Sequence, residues 1–228
     1  MVRYETGARY EVGDPGAVVR RWRRWVVGTI VVYSVVVVIT HALVLIGVVA
    51  ARVVGERPTT DMAGVHNFRT VDRETWAGGQ PDADAYGELA TRGVRLVVDL
   101  RTGGRDDPRK DDPALLGRLG VGYLGLPVPD GHVPSEAQVR RFLAAVRQTE
   151  GVVFVHCGGG VGRTSALTAA YLRATGEGPG LVGTTAVGLH TIEQLWFVAT
   201  GDTNPLVRRA SELLDAPRRA WSRLRALA

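Results

Sequence analysis

From Trp25 to Ala51 the chain reads WVVGTIVVYSVVVVITHALVLIGVVAA, 27 residues without an Asp, Glu, Lys or Arg. About 20 apolar residues in a helix cross the hydrocarbon core of a bilayer. Valine is a mediocre helix former in water. In lipid, however, the backbone must satisfy its own hydrogen bonds, and a helix follows whatever the propensity. A cleaved leader carries an apolar core of about 7–15 residues, so this stretch is too long for one. The expectation is an uncleaved transmembrane helix over 25–51, with its one ionisable group, His41, facing lipid or a helix partner rather than serving a site. Arg20, Arg21, Arg23 and Arg24 precede the span, whereas Arg52 and Arg57 follow it with Glu56 between them. The richer side stays in the cytoplasm. The N-terminus is therefore expected inside and residues 59–228 outside, as a single-pass membrane protein.

The net charge of +5 is spread unevenly over the 228 residues. Residues 1–24 hold six Arg against three acids, and residues 203–228 six Arg against two. Between them, residues 59–202 hold 14 basic and 17 acidic side chains. A nucleic-acid binder would carry its positive charge on the folded domain, so no nucleic-acid partner is expected. Basic flanks suit an anionic membrane surface. The chain divides into a basic N-terminal segment (1–24), the span (25–51), a linker (52–65), a globular domain (66–201) and a basic amphipathic C-terminal helix (202–228). In that last part Leu206, Ala210, Leu213 and Leu214 share a helical face, and Trp221, Leu224 and Ala228 continue it beyond Pro217. The helix either packs on the domain or docks on lipid headgroups.

Within the domain, strands alternate with helices. Arg95–Leu100 (RLVVDL) reads as a buried strand and Val121–Leu126 as another. Ser135 caps a helix whose apolar positions are Val139, Phe142, Leu143 and Val146. Gly151 breaks it, Val152–Val155 (VVFV) is a strand, and Arg163–Ala174 is the next helix. The glycine-rich stretch Gly176–Gly183 reads as a loop. This alternation predicts an α/β fold: a central, mostly parallel sheet flanked by helices, preceded by one transmembrane helix.

The lone cysteine, Cys157, rules out an intrachain disulfide and sites built on several thiolates. It follows the strand VVFV and His156, and it opens the loop Gly158-Gly159-Gly160-Val161-Gly162 that leads into a helix at Arg163. Backbone N–H groups converge in such a loop, and the helix dipole adds positive charge. The glycines allow close approach to an anion. The same field favours thiolate over thiol, which makes Cys157 a candidate nucleophile. Arg163 offers a planar fork to two phosphoryl oxygens. The Thr164 hydroxyl is placed to bond the thiolate.

Cys-x5-Arg-Thr after a His at a strand-to-helix turn resembles the cysteine-based protein tyrosine and dual-specificity phosphatases. Two further stretches carry the resemblance. Val128–Pro134 (VPDGHVP) is similar to that family's acid loop, with Val128 where a Trp is common and with Gly131 and His132 in exchanged character; Asp130 falls at the general acid. His190–Phe197 (HTIEQLWF) is similar to its glutamine loop. Thr191, Gln194 and Phe197 match, and His190 stands where the family's first Gln positions the hydrolytic water. His190 substitutes for it, Gln194 takes over, or His190 only packs. Arg69–Gly79 and Asp99–Arg101 resemble, more faintly, the opening of compact bacterial dual-specificity domains. The resemblance implies a phosphomonoesterase working through a cysteinyl-phosphate, with phosphate held by the loop amides from Gly158 to Arg163. Asp130 would be first acid and then base, and His156 would bond the Cys157 backbone from beneath. It implies no metal and no cofactor. The five loop residues are uncharged, which favours phosphotyrosine, or mixed phosphotyrosine and phosphoserine/threonine, protein substrates over polyanionic headgroups. A lipid phosphomonoester is the runner-up, and a non-catalytic phospho-binding module is a third reading.

Overall fold

The computed structural model describes residues 15–54, 62–102, 112–176 and 191–217. The elements follow from the residue pattern. α1 (Pro15–Val54) is 40 residues long, about 60 Å at 1.5 Å per residue. Its stretch Val19–Gly47 is long and apolar enough to cross a membrane. Trp25, Ile30, Val38, Leu43 and Ile46 are exposed along it. His41 donates from Nδ1 to the Val37 carbonyl one turn back, at 2.8 Å, so the ring's polarity is met by its own helix.

The folded domain starts with Met62 and Val65, which bridge to one another and are buried in the core although they fall in the stretch read as linker. Then come β1 (Arg69–Thr70), β2 (Thr75–Gly78), α2 (Ala83–Thr91), β3 (Val94–Asp99), α3 (Asp112–Arg118), β4 (Gly122–Gly125), α4 (Glu136–Gln148), β5 (Val152–His156), α5 (Gly162–Thr175), α6 (Ile192–Thr200) and α7 (Pro205–Leu214). The five strands form one sheet in the order β1-β2-β5-β3-β4. Only β1–β2 is antiparallel; the other three pairings are parallel.

Both faces of the sheet are covered, and the strand sequences show why. Side chains alternate between faces, so a strand buried on both sides is apolar throughout. Val153 and Val155 of β5 and Val98 of β3 join one core with Phe142, Val146, Leu167 and Tyr171 from α4 and α5. Phe154 of β5 and Val97 of β3 join the other, with Tyr86, Leu89 and Leu116 from α2 and α3. Phe142 meets Tyr171 edge to face at 5.7 Å.

Helix ends obey local rules. α4 opens with a full capping box: the Ser135 hydroxyl accepts from the Gln138 amide, and the Gln138 side chain accepts from the Ser135 amide. Gly176 closes α5 in the left-handed conformation. The rest of the glycine-rich stretch, His190, and the continuation of the C-terminal helix through Trp221 lie outside the described residues. α7 packs against α6. It buries Ser211 and Asp215, which hydrogen-bond each other, and leaves Leu206 and Leu213 exposed.

Candidate active site

The strand β5 is central, and Cys157 is the first residue past its C-terminal end. In open α/β sheets this is the edge where ligands bind. The loop from Cys157 to Val161 then turns into α5, most of whose first ten residues are buried.

Five consecutive carbonyls of this loop have donors. The Cys157 carbonyl accepts from His156 Nδ1 (3.3 Å) and that of Gly158 from the Gln80 amide (3.0 Å). Asn67 Nδ2 donates to Gly159 (2.8 Å), Arg69 Nη1 to Gly160 (2.9 Å), and the Ser165 amide to Val161 (2.9 Å). No side chain caps the start of α5. Among the described residues, none accepts from the amides of Gly158 to Gly162. The loop is thus a set of N–H donors available to an anion.

Gly160 is the tightest point. Its φ is +71°, and a Cβ there would lie 2.3 Å from the Gly78 carbonyl carbon and the Gly79 nitrogen. Only glycine lets the loop cross the end of β2 so closely.

Three arginines are buried here. Arg163 is held by its Nη1 donating to the carbonyls of Leu100 (3.4 Å) and Val128 (3.3 Å), with Nη2 3.7 Å from Asp130 Oδ1. Arg69 meets neutral acceptors: the carbonyls of Asn67 and Gly160 and the Ser165 hydroxyl. Burial lowers its pKa to about 10, while attraction to Cys157 works in the opposite direction. Arg101 is clamped by Asp99, Nη2 to Oδ2 at 2.8 Å and Nε to Oδ1 at 2.9 Å. Asp99 also accepts from the Arg101 amide and the Tyr123 hydroxyl, and it lies 3.9 Å from His156 Nε2. Burial alone would raise the Asp99 pKa. Hydrogen bonds from Arg101 and the proximity of His156 outweigh it, and the carboxyl is held below its usual range.

Asp130 projects from a turn over the loop. The His132 amide closes that turn on the Pro129 carbonyl (3.1 Å), with Gly131 at φ +81° in the third position, as a type II turn requires. Asp130 remains largely exposed beside the buried Arg163. The start of α6 supports the turn: Thr191 Oγ1 donates to the Gly131 carbonyl (2.7 Å) and Gln194 Nε2 to that of His132 (3.2 Å). Gln194 also lies against the loop, because a Cβ on Gly162 would fall 2.5 Å from its Oε1. Arg163 and Gln194 thus each touch the stretch that bears Asp130 while lying at the end of the loop that Cys157 opens. Thr164 is fully buried, and its hydroxyl has no hydrogen-bond partner among the described residues, Cys157 included, so the expected bond to the sulfur is not formed. Among those residues no group of three or more His, Cys, Asp or Glu is placed to hold a metal ion.

A family model described as "DSP-PTPase phosphatase fused to NAD+ Kinase" matches residues 53–188. The chain belongs to the cysteine-based dual-specificity and tyrosine phosphatase family. Over 85 residues, 36% of this chain and 20% of the relative, it is 36% identical to a beta-lactamase hydrolase-like protein of Xylella fastidiosa. Over 43 residues, 19% of this chain and 7% of the relative, it is 51% identical to the human dual specificity protein phosphatase CDC14A. It thus spans at most about a fifth of the length of these curated relatives. A crystal structure of a DUF442 protein from Shewanella putrefaciens, described as a candidate phosphatase, superposes with a TM-score of 0.50. It has 23% identity and covers 67% of this chain and 89% of that one. At that identity the likeness is one of fold.

Asn67, Gln80, His132 and Glu193 have partners that the sequence did not disclose. Asn67 and Arg69 lie some 90 residues before the loop they brace. The one local signal was the Gly78-Gly79 pair, which marks a close backbone approach.

Three variants test this geometry. Gly160→Ala is expected to abolish tight vanadate binding in calorimetry. Gly159→Ala is expected to be tolerated, since its added Cβ would meet Val161 Cγ2 at 3.9 Å. Asp99→Asn is expected to destabilise the fold by about 3–5 kcal/mol at neutral pH, because it leaves Arg101 buried without its counter-charge. A depressed folded-state pKa gives stability that is present above the unfolded value near 4 and lost as pH falls through the lower folded value. The gap between wild type and variant should therefore narrow below about pH 4 in urea titrations. A gap constant with pH would place the loss elsewhere.

Proposed function

We propose that the protein is a membrane-anchored phosphomonoester hydrolase that removes phosphate from phosphotyrosine proteins, and from phosphoserine and phosphothreonine as well, through a cysteinyl-phosphate. The observation that carries this reading is the loop whose carbonyls are all engaged elsewhere, next to a cysteine and a buried arginine. A tetrahedral dianion fits that donor set.

In this reading the Cys157 thiolate attacks phosphorus in line with the leaving oxygen. The amides of Gly158, Gly159, Gly160, Val161 and Gly162, with Arg163, stabilise the charge on the equatorial oxygens, usually the largest single contribution to such catalysis. As the P–O bond breaks, Asp130 gives its proton to the leaving oxygen. Asp130, now a carboxylate, takes a proton from water. The water attacks phosphorus and releases phosphate and the thiolate, with Gln194 beside the loop to orient it. Backbone and arginine supply the positive charge a metal would otherwise bring. The uncharged side chains of residues 158–162 support a singly phosphorylated protein residue over a polyanionic headgroup. A phospholipid monoester is the second reading, favoured by the apolar helix α1, which would keep the site beside a bilayer.

Cys157→Ser and Arg163→Ala are each expected to abolish turnover of aryl phosphates, since nucleophile and clamp act as a unit. Asp130→Asn should slow hydrolysis by roughly 10²–10⁴-fold, with a smaller loss for leaving groups that need no proton. Unreduced turnover by Cys157→Ser would overturn the assignment. A panel of phosphopeptides and phospholipids separates the two substrate readings.

For localisation, the four-to-two arginine asymmetry supports one pass with the N-terminus in the cytoplasm and the domain outside. Protease added to spheroplasts of a bacterial host should digest the domain. Protection until lysis would reverse the orientation and make cytoplasmic phosphoproteins the substrates.

A further inference from the structure

The loop that bears Asp130 is held from both flanks. On the entry side, Arg163 Nη1 donates to the Val128 carbonyl and the Val128 amide to the Leu100 carbonyl. On the exit side, the bonds from Thr191 and Gln194 use backbone carbonyls, which any residues at 131 and 132 would supply. One bond does depend on the side chains. His132 Nδ1 lies 2.8 Å from Glu193 Oε2, and the two side chains are only 11% and 7% exposed. A carboxylate only accepts, so the ring nitrogen donates. His132 is the last residue of the turn in which Asp130 is second, and Glu193 is in the first turn of α6.

A buried pair of this kind contributes little stability, because desolvation offsets its attraction. What it does is fix a position. A turn fastened at its third and fourth residues leaves its second residue little freedom. Asp130, itself exposed, has its direction set by the buried neighbour two residues on.

The geometry points to His132 and Glu193 as positioning residues for the general acid: a side-chain clasp between the acid loop and α6 that aims Asp130 at the leaving oxygen. This rests on the phosphatase reading above. The clasp acts through Asp130 and touches neither sulfur nor phosphate. Its loss should therefore spare phosphate binding and matter only where a proton must be delivered.

The test is kinetic and uses the full chain in detergent. Turnover of phenyl phosphate, whose leaving group needs a proton, is compared with turnover of 2,4-dinitrophenyl phosphate, whose leaving group does not. His132→Ala and Glu193→Ala are each expected to lower kcat for phenyl phosphate by roughly tenfold to a hundredfold, the range for a misplaced catalytic group. The dinitrophenyl ester should change little, and so should KM. The ratio of the two rates in one sample does not depend on how much of it is folded. Adding His132→Ala to Asp130→Asn should cost nothing further. His132→Asn, whose amide places a donor near the position of Nδ1, should restore most of the loss. An equal loss on both esters, a full additional loss in the Asp130→Asn background, or no loss at all would overturn the clasp while leaving the phosphatase reading intact. A wild-type chain that hydrolyses neither ester would overturn that reading, and the clasp with it.

Discussion

A backbone loop that is to hold an anion must first turn its own carbonyls away, because each is a partial negative charge. Here the five carbonyls from Cys157 to Val161 each accept from a donor outside the loop. The donors come from the end of β5, the segment before β1, β1 itself, the residue two past β2, and the first turn of α5. This explains why a strand as short as β1 is retained beside β2. Its Arg69 and the nearby Asn67 reach the loop only because β2 pairs with β5 in parallel. The sheet order is thus a condition for the donor set.

The buried arginines divide the electrostatic work. Arg101 is neutralised by Asp99 and fastens the end of β3. Arg69 is buried against neutral acceptors, and Arg163 against two carbonyls with Asp130 at 3.7 Å. Burial makes a charge costly unless it is compensated. Two guanidinium groups beside an uncapped helix start therefore favour an anionic ligand. Asp99, held well ionised, stabilises the layer beneath without reaching the loop.

Sequence patterning made β3, β5 and α4 legible, the strands as short apolar runs covered on both faces and the helix by apolar residues at helical spacing. Val94–Asp99 and Val152–His156 came within a residue or two of the expected ranges. The cysteine loop was legible for another reason: its backbone donors, its cysteine and its arginine are contiguous in the chain. β1 and β2, at two and four residues, are too short to show a period. The braces were hidden because Asn67 and Arg69 act across some 90 residues, and His132 meets Glu193 across 61. An isolated Asn, Arg, His or Glu has no local signature; only the folded sheet brings them together.

The two halves of the site differ in how they are held, and the difference matches the chemistry proposed for each. The loop that would bind phosphate is locked by backbone geometry at Gly160 and by a helix whose first turns are buried; a displacement there would misplace every donor at once. The acid loop is attached by hydrogen bonds at its margins, with Asp130 exposed at its crest. A proton donor must meet the substrate and later admit water, so it cannot be sealed into the core. Fastening the turn at Gly131 and His132, and not at Asp130 itself, leaves the carboxyl open while limiting where it points. Such an arrangement separates binding from proton delivery: a change in the clasp alters the second with little effect on the first.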